Sequence, residues 1–192
     1  MARTLTLMLV GCALGAGVLP LSSSERLAAQ GAAPPPAQVL VDSAVHRAAA
    51  EHKVALVIFS ASWCGPCRLF HDLIVDSEIG PVVAAHYVVA TLVTMETPAN
   101  RALENPGSEK LLSEMDGAES GIPFFVALDS SGSKIADSRL LPHGGNVGFP
   151  EEPEEIAAFD AFLVRTAPGI TLLERLQIRA YLNRTARHLQ ST

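Results

Sequence analysis

The sequence predicts an α/β sandwich, and three observations support this prediction. Residues 54–59 form a continuous apolar run rich in β-branched side chains, which is typical of a strand buried on both faces. Residues 68–75 carry apolar side chains at the spacing of an amphipathic helix. Strand-like and helix-like segments follow one another in the order β-α-β-α-β-β-α, which indicates helices packed on a sheet.

The amino-acid composition limits the class of protein. The 192 residues, 48% hydrophobic and 18% charged, are enough for one folded domain with a substantial core. A net charge of −6 without a basic patch argues against a nucleic-acid partner. The three cysteines, Cys12, Cys64 and Cys67, are too few for a disulfide-dense scaffold or a four-cysteine zinc site.

Residues 1–29 have the organisation of a secretory signal peptide. Arg3 supplies a positive charge, residues 4–21 contain no charged side chain, and small residues near 29–33 form a cleavage region. We therefore expect an exported protein of the bacterial periplasm or cell envelope, with an uncleaved anchor as the alternative.

Cys12 lies inside this signal. Residues 9–12, Leu-Val-Gly-Cys, resemble a bacterial lipobox, in which the cysteine is lipidated. The apolar run before Cys12 is short, so we favour the interpretation that Cys12 is a small apolar residue of the signal peptide. Membrane attachment is expected only if Cys12 is lipidated or the signal stays uncleaved.

The remaining elements can be assigned in chain order. Residues 30–38 predict an extended linker, because its three prolines lack the amide donor and fix φ. The globular domain is expected at residues 39–166, and it begins with a helix over 43–52 that has Ser43 near its N-cap. The other predicted segments are strands at 87–93, 124–128 and 134–137, a turn at 129–132, and helices at 108–115 and 156–164.

Residues 167–192 add a C-terminal helix, predicted over residues 172–182. Four apolar side chains are expected to dock it on the domain: Leu172, Leu173, Leu176 and Ile178. A stripe at i, i+4 spacing is predicted to be a solvated polar face, in preference to a partner-binding site: Arg175, Arg179, Asn183 and Arg187.

The chemistry of the chain is predicted at Trp63-Cys64-Gly65-Pro66-Cys67, directly after a buried strand and at the start of a helix. Two cysteines at this spacing can close and reopen a small disulfide ring. At a helix N-terminus the unpaired amides and the macrodipole favour an anion, so Cys64 should form a thiolate more readily than a free cysteine, whose pKa is about 8.5. Cys67, one turn inside, is expected to be more buried and to resolve the mixed disulfide.

The cysteine pair has three other interpretations. Haem attachment requires histidine at position 68, which is Arg68. A metal site could include His71 on the same helix face, but a fourth ligand is not visible. A purely structural disulfide would constrain little of the chain, because its ring contains four residues.

Residues 54–67 resemble the active-site strand and helix of thioredoxins and exported thioredoxin-like proteins, and Gly121-Ile122-Pro123 before an apolar run provides a second signature. The resemblance spans residues 40–166 and implies a thioredoxin-like fold, with a central mixed sheet flanked by helices. It implies a redox-active Cys64–Cys67 disulfide and a cis-proline at Pro123 that faces it. It also implies client contacts at Trp63, Gly65, Pro66, Ile122 and Pro123. The alternative for Pro123 is an ordinary proline at the start of a strand.

The chain also departs from this family. The buried aspartate that typically precedes the first active cysteine by six residues is replaced by Ile58, so its help in proton transfer is absent, or comes from water or a distant group. Residues 96–104 and 141–150 look like additions to the family pattern. Gly65-Pro66 is the dipeptide of reducing thioredoxins, although the dipeptide alone does not fix the direction of the reaction.

These observations predict an exported thiol–disulfide oxidoreductase of the reductase type that needs no cofactor and no metal. Its partners would be client protein thiols and disulfides and an unidentified redox partner that resets the cysteine pair. The alternative is a non-catalytic thioredoxin-fold binding module or a metal or thiol chaperone.

Overall fold

The sheet is arranged around its most apolar strand. A computed structural model describes residues 33–191, in which β1 (Val54–Ser60) pairs in parallel with β2 (Tyr87–Val93) and antiparallel with β3 (Phe124–Leu128). A fourth strand, β4 (Lys134–Asp137), is antiparallel to β3, so the strand order is β2-β1-β3-β4. The predicted mixed sheet is therefore confirmed, and all four strands lie where the sequence predicts them.

Helices cover both faces of this sheet. They are α1 (Ala37–Glu51), α2 (Gly65–Val75), α3 (Gly80–His86), α4 (Ser108–Glu114), α5 (Pro153–Thr166) and α6 (Leu172–Gln190), with a short 3₁₀ helix at Pro98–Leu103. The described residues belong to one compact unit. The α/β class with an extra C-terminal helix is confirmed.

The alternation of side chains along β1 produces two cores. Val57 and Phe59 point to the face covered by α1 and α4, whereas Leu56 and Ile58 point to the face covered by α2, α3, α5 and α6. The second core is rich in aromatic rings whose centroids lie 5.1 to 6.5 Å apart: Phe70, Phe125, Phe149, Phe159 and Phe162. Tyr87 joins this core, donating or accepting a 2.6 Å hydrogen bond with Thr166, and burial raises the pKa of Tyr87 to about 12.

The first helix begins earlier than predicted. α1 starts at Ala37, so the predicted start at Ser43 is wrong and the predicted linker boundary at residue 38 falls inside the helix. Pro36 occupies the N-cap, where a missing amide is harmless. Ala37 is fully buried and its N–H donates to the Pro106 carbonyl at 2.9 Å. A tertiary contact, rather than a capping side chain, sets this start.

Helix α3 is absent from the sequence-based prediction. It has only seven residues, and proline stands in its first turn. The Asp76 carboxylate precedes it and accepts hydrogen bonds from the N–H groups of Ile79 and Glu78, which lowers the pKa of Asp76. The segment is shorter than the window of about 11–18 residues in which helical periodicity can be recognised in a sequence.

The C-terminal helix docks through a different face from the predicted one. Ile178, Leu182 and Ala186 are buried and recur every four residues, so they form a single stripe along α6. Leu172, Leu173 and Leu176 are exposed by 62%, 68% and 47%, so the expectation that they dock is wrong. Ile178 is the only one of the four predicted docking residues that is buried. On the polar side, Arg175 forms an ion pair with Asp160 at 2.6 Å.

The predicted signal peptide, including Arg3 and Cys12, lies outside the described residues. Within residues 33–191, no helix has both the length and the apolar character that a membrane crossing requires.

The docking of α6 can be tested with two identical substitutions on that helix. Leu182 is fully buried, so Leu182→Ala should lower the free energy of unfolding by about 2–5 kcal/mol. Leu173→Ala removes the same atoms from an exposed position and should change the free energy of unfolding by less than about 0.5 kcal/mol. Urea denaturation measures both values, and comparable losses in the two variants would contradict this docking face.

Candidate active site

The cysteine pair lies at the junction of β1 and α2. Cys64 is the N-cap of α2, and its Sγ accepts a 3.2 Å hydrogen bond from the N–H of Cys67. The two sulfurs form a disulfide with a Cα–Cα distance of 5.2 Å. Cys64 is 3% exposed and Cys67 4%, so the expectation that Cys67 is the more buried cysteine is wrong. Ile122 packs against the small cluster that the two cysteines form with Ala61, and its carbonyl lies next to Cys64, which explains why the first cysteine is covered as well.

Ile122 and Pro123 face the pair from the start of β3. The Ile122–Pro123 peptide bond is cis, as the resemblance to thioredoxins implies. The carbonyl oxygen of Ile122 lies 3.6 Å from the Sγ of Cys64. The preceding Gly121 has φ +73°, a conformation that glycine adopts without strain. Because β3 is antiparallel to β1, its first residues meet the last residues of β1 at one edge of the sheet.

Asn146 holds this proline segment in place. Its Nδ2 donates to the carbonyl oxygens of Ser120, Gly121 and Pro123 at 2.9, 3.3 and 3.1 Å. Its Oδ1 accepts from the N–H of Gly148 at 3.1 Å. Residues 141–150, which look like an addition in the sequence, therefore contribute the support of the cis-proline segment.

The other apparent addition contacts the residues just before Cys64. The carboxylate of Glu96 accepts hydrogen bonds from the N–H and the Oγ of Ser62 at 2.5 and 2.8 Å. The indole Nε1 of Trp63 donates to the Met95 carbonyl at 2.8 Å, and the Trp63 side chain is 51% exposed. At the base of this loop, the Oδ1 of Asn105 accepts a hydrogen bond from the N–H of Val93, and the N–H of Asn105 donates to the Val93 carbonyl. The loop is thus fixed to β2 and to the active-site turn at once.

One cleft borders the cysteine pair and a second borders the cis-proline segment. One of about 350 Å³ is lined by Ile58, Cys67, His71, Thr91 and Glu96 among others. The other, of about 420 Å³, lies beside Pro66, Ile122, Pro123 and Asn146 and is bordered by glutamates at the start of α5. Burial, and then the charges of Glu155 and Glu152, raise the pKa of Glu151 at its rim.

The remaining predicted residues are found around these clefts. Gly65 and Pro66 form the first turn of α2, and Pro66 is exposed. His71, considered above as a metal ligand with the cysteine pair, is an exposed residue of α2 that borders the first cleft. Between residues 33 and 191 there is no group of three or more histidine, cysteine, aspartate or glutamate side chains that could hold a metal ion.

A family model described as thioredoxin-like matches residues 37–130, which run from α1 through β3 and include the cysteine pair and Pro123. This part of the chain is thioredoxin-like. The match agrees with the mixed sheet, the cysteine pair at the start of α2 and the cis-proline opposite it. No curated protein sequence matches the chain significantly.

Several solved structures are similar to the chain. A disulphide isomerase from Xylella fastidiosa Temecula1 is 18% identical, with 78% of this chain and 90% of that chain covered and a TM-score of 0.47. A thioredoxin from Thermus thermophilus is 17% identical, with coverages of 67% and 88% and a TM-score of 0.40. The oxidised C-terminal domain of DsbD from Neisseria meningitidis is 23% identical, with coverages of 55% and 84% and a TM-score of 0.39.

Three residues that organise the site are not among the residues that the sequence predicts for it: Ser62, Glu96 and Asn146. A signal for Glu96 was present, because it follows β2 and the carboxyl ends of two paired parallel strands meet at one edge of the sheet. For Asn146 no signal was available, since its three acceptors lie more than twenty residues away in sequence.

The hydrogen bond to the Cys64 sulfur predicts which cysteine is the nucleophile. In the reduced protein at mildly acidic pH, iodoacetamide should modify Cys64 at least about tenfold faster than Cys67, the ratio that about 1.4 kcal/mol of thiolate stabilisation gives. Peptide mass spectrometry reads out both sites, with Cys64→Ser and Cys67→Ser as controls. Faster modification of Cys67 would reverse the assignment.

The hydrogen bonds of Asn146 predict a second outcome. Asn146→Ala leaves three carbonyl groups without their donor and should destabilise the protein by about 1–3 kcal/mol. Asn146→Asp keeps the size but removes the donor and turns a negative charge toward those carbonyls, so the loss should be larger. Urea denaturation measures each loss of stability from the shift of the transition midpoint, provided that the slope of the transition is unchanged. An Asn146→Asp variant as stable as the wild type would show that these bonds contribute little.

Proposed function

We propose that the protein is a thiol–disulfide oxidoreductase of the reductase type, in which Cys64 attacks client disulfides and Cys67 resolves the intermediate. The observation that carries this proposal is the disulfide at the N-terminus of α2, with Cys64 as the N-cap residue beside the carbonyl of Ile122. A redox pair placed in this way can open without unfolding the sheet or the helix that holds it.

Each step of the proposed reaction is a thiol–disulfide exchange. The Cys64 thiolate attacks one sulfur of a client disulfide, the client S–S bond breaks, and the second client sulfur leaves as a thiolate and takes up a proton. Cys67 then loses its proton and attacks the Cys64 sulfur. The bond between Cys64 and the client breaks, and the first client sulfur leaves. The client gains two electrons and the cysteine pair becomes a disulfide.

Two local interactions support Cys64 as the attacking residue. The N–H of Cys67 donates to its sulfur, and a hydrogen bond to a charged acceptor contributes about 1.5–3 kcal/mol. The dipole of α2 adds about 0.3–1 kcal/mol for an anion at the helix N-terminus. The hydrogen bond is not available to Cys67, whose own N–H is the donor, and Cys67 lies further along the first turn, where the dipole acts on it less.

The surroundings of Cys64 suit an extended client segment. Trp63 presents an exposed aromatic surface beside the pair, and the half-buried Ile122 presents its backbone next to the Cys64 sulfur. A client strand placed along Ile122 would bring its cysteine close to Cys64, which is the form of recognition in which backbone hydrogen bonds provide the affinity. Gly65, Pro66 and Pro123 complete this proposed contact surface.

The direction and location of the reaction rest on the sequence. The Gly65-Pro66 dipeptide is that of reducing thioredoxins, and residues 1–29 have the organisation of a secretory signal. We infer that the protein acts in the bacterial cell envelope. Because that compartment is oxidising, a dithiol partner must return the Cys64–Cys67 disulfide to the reduced state.

A binding module or a metal or thiol chaperone is the second candidate, since the same two cysteines could hold a soft metal ion once reduced. The candidates differ in stoichiometry. An oxidoreductase turns over many client disulfides per chain, whereas a chaperone binds one metal ion per cysteine pair.

The proposal predicts that the wild-type protein accelerates the reduction of insulin by dithiothreitol, measured by the turbidity of the released chains. Cys64→Ser should abolish the acceleration. Cys67→Ser should also abolish turnover but accumulate a mixed disulfide between Cys64 and the client, visible by mass spectrometry. Stoichiometric metal binding by a wild-type protein that does not accelerate insulin reduction would favour the chaperone instead.

The reduction potential of the pair tests the proposed direction. A reductase of the thioredoxin kind should have a potential near about −270 mV, whereas a strong oxidant lies near about −120 mV. Equilibration with glutathione or dithiothreitol buffers, followed by alkylation and mass spectrometry, measures it. A value at the oxidising end would overturn the reductase assignment and leave the oxidoreductase assignment intact.

A further inference from the structure

Cys67 and Cys64 border different surroundings. Cys67 lines the cleft of about 350 Å³ that also contains Ile58, Thr91 and Glu96, whereas the Sγ of Cys64 lies against the carbonyl of Ile122. The cleft is far larger than the roughly 10–15 Å³ that one water molecule requires. Solvent can therefore enter it, and a group that exchanges a proton with Cys67 is best sought among the residues that line it.

Glu96 is the carboxylate in this cleft. It is 5% exposed, and among residues 33–191 it is the only charged side chain that is buried. None of the ion pairs between described residues includes it. A buried carboxylate without a cation is a poor source of stability, so its position beside a redox pair indicates a chemical role.

The contacts of Glu96 hold its carboxylate in place but leave it able to exchange a proton. Its two oxygens each accept one hydrogen bond from Ser62, and each carboxylate oxygen has two acceptor positions. Its backbone N–H donates to Glu104 Oε1 at 2.8 Å, which fixes the loop that carries it. An acid or base can act through one bridging water molecule.

We propose that Glu96 exchanges a proton with Cys67 through the solvent of this cleft. The inference rests on the proposed function and deepens it, because it identifies the group that enables the resolving step. The proton leaves the Cys67 thiol and arrives at the Glu96 carboxylate. The Cys67 thiolate attacks the Cys64 sulfur, the bond between Cys64 and the client breaks, and the client leaves as a thiolate.

The same group serves the reset of the pair by a dithiol partner. A thiolate of that partner attacks the Cys64 sulfur and breaks the Cys64–Cys67 bond. Cys67 leaves as a thiolate and takes the proton back from the Glu96 carboxylic acid. The partner's second thiolate then attacks the partner sulfur that is bound to Cys64, which closes the partner's disulfide, breaks its bond to Cys64 and releases Cys64 as a thiolate. Two electrons have then passed to the cysteine pair.

The other charged groups near the cleft are less suited to this exchange. Helix α2 contributes Arg68, which donates to the Ser62 carbonyl, and the exposed His71. The loop after β2 contributes Glu104, whose Oε1 already accepts from the N–H of Glu96. Strands β1 and β2 contribute the uncharged Ile58 and Thr91.

The test measures the resolving step itself. Reduced protein is mixed with dithiobis(nitrobenzoate) in a stopped-flow instrument. The first thionitrobenzoate released reports the attack of Cys64, and the second reports the attack of Cys67. Glu96→Gln should slow the second phase by about 10² or more near neutral pH, the lower bound of general acid–base assistance, and leave the first phase within about twofold. Toward about pH 9, above the free-thiol value of about 8.5, the difference should shrink.

Two further variants separate proton exchange from a structural effect. Glu104→Gln removes the same charge from the same loop and still accepts from the Glu96 N–H, so its second phase should match the wild type. In the Glu96→Gln background, Ile58→Asp places a carboxylate in the same cleft. The second phase of this double variant should be at least about tenfold faster than that of Glu96→Gln alone. Circular dichroism establishes that each variant is folded.

Several results would overturn the inference. These are an unchanged second phase in Glu96→Gln, an equal loss in Glu104→Gln, or a loss that follows His71→Asn instead. A measurement on the wild type needs no variant: the ¹³C carboxyl resonance of Glu96 should respond to the ionisation of Cys67 in the reduced protein. A resonance that ignores this ionisation in a correctly folded wild type would also exclude the exchange.

These outcomes are distinct from a failure of the proposed function. If the wild type releases both equivalents of thionitrobenzoate but does not reduce insulin, the oxidoreductase proposal fails while the role of Glu96 can still be measured. If insulin is reduced and the second phase is insensitive to Glu96→Gln, only the inference about Glu96 fails.

Discussion

The site depends on one constraint, which is that the buried strand β1 must pair its backbone groups on both edges. Unpaired amides and carbonyls in the middle of a core are expensive, so β1 is hydrogen-bonded to β2 on one side and to β3 on the other. The parallel partner ends, and the antiparallel partner begins, where β1 ends. Three distant segments therefore meet at that edge: the turn into α2 with Cys64, the loop with Glu96, and the residues leading to Pro123.

Sequence alone predicted the sheet well because its strands have local signatures. Runs of buried apolar residues specify β1, β2 and β3, and the predicted range 87–93 matches β2 in full. The helix boundaries were harder to predict where tertiary contacts decide them. The start of α1 depends on the hydrogen bond from Ala37 to Pro106. The docking of α6 depends on which of its apolar side chains are buried against the rest of the domain. Hydrophobicity alone does not distinguish Leu173 from Leu182.

The same distinction applies to the site. The cysteine pair and the proline at position 123 are short motifs, so the sequence was enough to single them out. Glu96 and Asn146 act on residues that are distant along the chain, at Ser62 and at the segment 120–123, and only the folded sheet brings them there. Both lie in stretches that looked like insertions. In this chain, these two stretches carry the groups that hold the active-site turn and the proline segment.

The identity of residue 96 matters because its hydrogen bonds alone do not require a carboxylate. A glutamine in the same place could accept from the Ser62 N–H through Oε1 and donate to the Ser62 Oγ through Nε2, with no charge to bury. The hydrogen bonds between Ser62 and residue 96 would then be preserved, and the free-energy cost of burying a charged carboxylate would disappear. What glutamine cannot do is take up and return a proton. The proposed proton exchange accounts for a buried glutamate at this position, and Cys67 is the cysteine that lines the same cleft.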